Sequence, residues 1–233
     1  MIELTKEQLQ FIDHRLENEG IKYWDVRIEM LDHIVSDVEN KLTDENTQHE
    51  FKEIVQGALV SLGWQENFNG GGLDYLNKQG WKNANKGYRQ LFYKSFIDSF
   101  KNYLILLVLT VFLLGFYFLS EVLLHKTFLK VSYGIFLSSI VLYFFVFFKI
   151  WRKKYGKSVH KDYALTYLMF SFFMLSGVFN FIRLDTDFAF PIRYHKPILF
   201  FILPLHLILT FAGYRVYKEA ISKVEKMRKE LLS

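Results

Sequence analysis

The chain has 233 residues, among them 25 Phe, only 3 Pro and no Cys, and carries a formal net charge of +5. Without cysteine there is no disulfide framework, thiolate nucleophile or cysteine zinc site. Residues 1–60 hold 14 acids against 6 bases and the remainder 10 against 23, so the basic excess lies beside apolar runs and points to a membrane-facing surface rather than to nucleic acid.

The N-terminus, MIELTKEQLQ, lacks the basic and apolar regions of a signal peptide, so the first apolar span is expected to act as its own insertion signal. Residues 1–63 read as three short amphipathic helices. Thr5 and Gln8 form a capping box, Leu4 and Leu9 are placed for a hydrophobic staple, and Gly20 suits a left-handed end after Leu9, Ile12 and Leu16. The second helix, about 23–42, aligns Trp24, Ile28, Leu31, Val35, Val38 and Leu42 as an apolar stripe. Its other face carries Asp25, Glu29, Asp32, Ser36 and Glu39. A second capping box, Thr47 and Glu50, opens a third helix that places Phe51, Ile54, Val55, Ala58, Leu59 and Leu62 before Gly63. Each helix alone is marginal in water, so the stripes are expected to pack together.

Arg27-x-Glu29 followed by His33, then FKEIVQGALVSLGW with Ala58, Leu62 and Gly63, resembles the HAAS-type cytosolic helical domain found ahead of membrane spans in bacterial proteins. The resemblance covers residues 1–66. It implies a signalling or regulatory membrane protein of a kind often associated with PadR-type transcriptional repressors.

Asp25, Glu29, His33 and Asp37 also fall at i, i+4 spacing, a line that a divalent metal can use. A solvated acidic face with local pairing, such as Glu29 with His33, is the preferred reading, because closed metal sites take four ligands. No cofactor motif appears, and Gly70-Gly71-Gly72 lacks the Gly-Lys-Ser/Thr ending of a phosphate loop and reads as a hinge.

Residues 67–102 read as a linker leading into an interfacial amphipathic helix, since aromatics and bases interleave from Lys86 to Lys101. Four spans follow, at about 103–124, 132–148, 163–182 and 197–217, each long enough for a hydrocarbon core of about 30 Å, the second only with snorkelling ends. Bases number 6 in 78–102, 2 in 125–131, 6 in 149–162, 3 in 183–196 and 6 in 215–233. Rich and poor segments alternate, which places both termini in the cytoplasm of an integral inner-membrane protein. The outer loops, HKTFLK and RLDTDFAFPIRYHK, leave no room for an outer ligand domain, and 218–233 continues the last span as a charged helical tail.

The expected fold is therefore all-α, a three-helix cytosolic domain plus a four-helix transmembrane bundle. Polar groups within the spans are few: His206 two residues after Pro204, Asn180, and Ser138, Ser139, Ser171 and Ser176. The expected function is non-enzymatic and regulatory or scaffolding, with Asp25, Glu29, Asp32, His33 and Glu39 meeting a cytosolic protein partner and self-association left open. The alternative is a small transporter or membrane enzyme built on His206 and Asn180, with Arg183, Asp185 and Asp187 outside.

Overall fold

A computed structural model describes residues 3–43, 45–64, 74–182 and 190–232. Among them the chain is helical throughout, with no strand. It divides into two compact units, one made of residues 1–86, 156–160 and 226–233, the other of 87–155 and 161–225.

In the first unit, α1 (Lys6–Asn18), α2 (Trp24–Lys41) and α3 (Gln48–Ser61) pack with α2 touching both neighbours. The local signals act as their residue types dictate. Thr5 and Gln8 close one reciprocal capping box and Thr47 and Glu50 another. Gly20 takes φ +92° to turn the chain out of α1, a conformation that costs a residue with a Cβ. Ile12, Leu16, Phe51, Val55, Ala58 and Leu59 are buried.

On α2 the buried stripe is Val26, Met30, Ile34 and Val38. The expected stripe of Trp24, Ile28, Leu31, Val35 and Leu42 is only half-buried, with Val38 alone shared. The apolar arc of α2 is wider than one stripe, and the positions of α1 and α3 choose which part becomes core. Arg27 fixes the α1–α2 pairing by donating to Asp13 at 2.8 Å and Glu17 at 3.2 Å.

Four helical stretches, whose residues fall mostly in the second unit, are long and apolar enough to cross a membrane: Tyr103–Val122, His125–Lys153, Val159–Ile182 and Ile192–Lys229. The segment expected as the loop HKTFLK is instead the start of α6 (His125–Leu137). It contains no Pro or Gly to stop a helix, and the turn after α5 (Tyr103–Val122) shrinks to Leu123 and Leu124. The hydroxyls of Ser138 and Ser139 return to Ile135 and Phe136 carbonyls, where α6 gives way to α7 (Ser139–Lys153).

The expected interfacial segment lies within α4 (Asp74–Ser99). Tyr88, Phe92, Ser95 and Ser99 form its buried face, with the Phe92 ring tilted against Tyr167 and edge-on to Phe170 of α8 (Val159–Ile182). Tyr93 and Ile97 stay exposed on its other side, as does Phe100 just past its end. The last helix, α9 (His195–Leu232), runs unbroken through the expected tail with Pro204 inside it. At Gly213 it approaches α8 so closely that a Cβ would stand 2.2 Å from the Tyr167 carbonyl oxygen.

Candidate functional site

The residues expected to meet a partner separate into two groups. Glu29, Asp32 and His33 are exposed at the middle of α2. Glu39 is half-buried, and its carboxylate accepts the Leu4 backbone N–H at 3.2 Å, which pins the entry to α1.

Asp25 departs from the expected acidic face altogether: it is 1% exposed. It occupies the first turn of α2, where Oδ1 accepts the Val26 N–H at 3.1 Å. The same carboxylate accepts from Ser158 Oγ at 2.7 Å, Val159 N–H at 3.1 Å and His160 N–H at 3.0 Å, the last two in the first turn of α8. The Trp24 N–H adds a bond to the Lys157 carbonyl at 3.2 Å. One carboxylate thus answers the orphan amides of two helix N-termini, where the backbone dipoles favour negative charge. A helical wheel shows that Asp25 points away from the α2 stripe; it carries no information about residues more than 130 positions later. The one local signal for this arrangement was Ser158, a good N-cap residue five positions before the apolar run that begins at Tyr163.

The i, i+4 line of Asp25, Glu29, His33 and Asp37 does not converge. Asp25 faces Ser158, His33 is exposed, and Asp37 pairs with Lys41 at 2.7 Å. Among the described residues no three His, Asp or Glu side chains gather where they would hold a metal.

His206 and Asn180 are not brought together. His206 is 2% exposed and its Nδ1 lies 2.6 Å from Ser171 Oγ, which also bonds the His206 carbonyl at 3.2 Å. Nε2 makes no hydrogen bond among the described residues; the Phe136 ring packs on the imidazole at 4.5 Å between centroids. Asn180 is exposed near the end of α8. Of the four expected serines, Ser138, Ser139 and Ser176 bond carbonyls of their own turn or the turn before, and only Ser171 reaches another helix. Arg183, Asp185, Asp187 and the Gly70–Gly72 stretch lie outside the described residues.

Two features had no periodic signature. His125 Nε2 lies 3.2 Å from Nδ1 of His195, which is fully buried and whose Nε2 lies 2.7 Å from the Phe190 carbonyl. That carbonyl can only accept, so His195 Nε2 carries its proton and His125 donates to His195. Gly213 is the second, a position where absence of a side chain is the requirement. Compared with family models, curated proteins and solved structures, the chain finds no match.

Proposed function

We propose that this is a non-enzymatic integral membrane protein of regulatory or scaffolding type, in which the α1–α3 helices form a cytosolic domain that docks a protein partner. The observation that carries the reading is the division of labour on α2. Val26, Met30, Ile34 and Val38 are spent on the core, while Glu29, Asp32 and His33 stand exposed at mid-helix. A charged rim of this kind sets association rate and salt dependence. If the resemblance to HAAS-type domains extends to function, the partner is a transcriptional regulator. The apolar helices support an anchoring role, because their buried serines bond within their own helices or to His206.

Charge reversal tests the docking face. The double variant Glu29→Lys, Asp32→Lys should lose capture of the cytosolic partner, with wild-type helicity retained and the difference shrinking as salt rises. Equal capture by both chains across the salt range would leave the face with solubility alone. Loss of a biological activity on His206→Ala, with capture intact, would instead favour the transport or catalytic reading.

The membrane topology has its own test, helped by the absence of cysteine. Leu124, in the turn between α5 and α6, is 81% exposed. A cysteine there should react with an impermeant thiol reagent from outside the cell, and one after Ser233 should not; equal labelling of both would refute the four-span, both-ends-inside arrangement.

A further inference from the structure

A cavity of about 780 Å³ opens on the second unit between α6 and α8, with Leu199 of α9 at its wall. Its size falls in the range of small-molecule and cofactor pockets, roughly 300–1,000 Å³. The two ends differ in chemistry. At one end, where α6 begins and α8 finishes, stand Lys126 and Lys130, exposed and one helical turn apart, with Asn180 across from them. Neither lysine has a carboxylate within 4 Å among the described residues. Like charges at this spacing repel along a helix, so an anion between them relieves a standing cost.

Deeper along the same helix faces the lining turns aromatic. Tyr133 packs on Phe179 at 5.4 Å, and Phe136 closes the floor against Phe172 at 5.1 Å and Phe179 at 4.6 Å. The floor is rigid, because Phe136 is 1% exposed and wedged against the His206 ring. Tyr133, in contrast, is 48% exposed at the lip.

We infer that this groove is a binding site for an anionic lipid, its headgroup phosphate held by Lys126, Lys130 and Asn180 and one acyl chain laid over Tyr133, Phe136 and Phe179. A free inorganic anion leaves the aromatic trough unused, and a zwitterionic lipid brings its own cation to the lysines. Lysines near the ends of spans also snorkel to the bilayer surface without selecting any lipid, and headgroup selectivity separates the two cases. The inference rests on the membrane reading given above.

The test uses the full chain purified in neutral detergent, with phosphatidylglycerol or phosphatidylcholine of identical chains added at equal concentration and bound lipid counted by native mass spectrometry. Retention of phosphatidylglycerol should exceed that of phosphatidylcholine by about tenfold, the effect of about 1.4 kcal/mol. The variant Lys126→Gln, Lys130→Gln should lose that preference, whereas Lys149→Gln, Lys153→Gln on α7 should keep it. Ser176→Trp, which fills the trough and leaves both lysines, should lower retention of both lipids. Unchanged preference in the Lys126, Lys130 variant, equal retention of the two lipids by the wild type, or full displacement by inorganic phosphate would each overturn the site. Release of the protein from membranes by alkaline carbonate would overturn the membrane reading itself; firm retention there with unselective lipid would overturn the groove alone.

Discussion

The three N-terminal helices and the apolar helices of the second unit dispose of hydrophobic side chains in opposite directions. In α1–α3 the large aliphatics turn inward, and Ile12, Leu16, Ile34 and Val38 are fully buried. Along α5, Leu104, Val108, Tyr117 and Phe118 are all more than half exposed, and only Phe116 and Ser120 are buried. Water drives the first arrangement, since each buried side chain gains about 1.5–3 kcal/mol over an exposed one. The second would be intolerable in water over so large a contiguous patch and calls for an apolar surrounding. The same residue types therefore hold the fold in one unit and meet the surroundings in the other.

One substitution placed in each unit breaks that comparison open. Ile34→Asp buries an uncompensated charge in the α1–α3 core and should cost about 4 kcal/mol or more, a large part of a small domain's stability. Hydrogen exchange on the full chain in detergent should show α1–α3 amides losing protection while α5–α9 amides keep theirs. Loss of protection in both would mean that the two units melt as one. Val108→Asp should leave packing untouched, and its cost of about 2.5–3.5 kcal/mol should appear in membrane insertion instead.

Asp25 comes next in size. Asp25→Ala removes the carboxylate that accepts from the Ser158 hydroxyl and the Val26, Val159 and His160 amides, at about 1–3 kcal/mol for each buried group that finds no water. Asp25→Asn keeps one acceptor oxygen and should lose less. Exchange rates of the Val159 and His160 amides read this directly, and an unchanged rate in the alanine variant would show that water replaces the carboxylate.

What the sequence disclosed and what it withheld follow from the range of the forces involved. Both capping boxes and the turn at Gly20 were legible because cap and amide lie within three or four residues. The four apolar stretches were legible because length and composition suffice. The α2 stripe was misplaced by about 100° around the helix, because apolar residues cover both candidate faces and only the packing of α1 and α3 decides between them. Asp25, the His125–His195 pair and Ser171–His206 were illegible as contacts, since each joins residues 35 or more positions apart. His206 was visible as a lone polar residue, but its bond to Ser171 depends on how α8 and α9 pack and has no local signature.

Gly213 sharpens the comparison from the packing side, within the second unit. Gly213→Ala puts a methyl 2.2 Å from the Tyr167 carbonyl oxygen, a backbone atom that can yield only if α8 and α9 part. Overpacking of this kind costs about 1–3 kcal/mol. Gly177→Ala is the control: nothing lies within 4 Å of its added Cβ, and replacing a helical glycine by alanine should gain up to about 1 kcal/mol. Thermal unfolding in detergent should move in opposite directions for the two variants, and a shared direction would remove the close approach of α8 and α9 as the cause.

The smallest expected effect belongs to Glu50, on the water-facing surface of α3. Its carboxylate accepts from the Thr47 backbone N–H at 2.7 Å, and the Thr47 hydroxyl stands 3.0 Å away. The backbone bond from Thr47 first, then the bonds from the Thr47 and Asn46 side chains, hold the Glu50 carboxyl below its ordinary value of 4.5. A carboxyl lowered in the folded state favours the folded state above its unfolded value, because there both states are ionised and only the folded one keeps the bonds. That advantage fades as pH falls through the folded value, where protonation occurs in both states. Melting of the helical unit, followed by the exchange of α3 amides, should therefore lose a small increment on acidification below about pH 4.5. Glu50→Gln, which caps without titrating, should lack that increment while still falling with the other carboxylates. Identical acid profiles for wild type and Glu50→Gln would show that the capping box contributes its geometry without its charge.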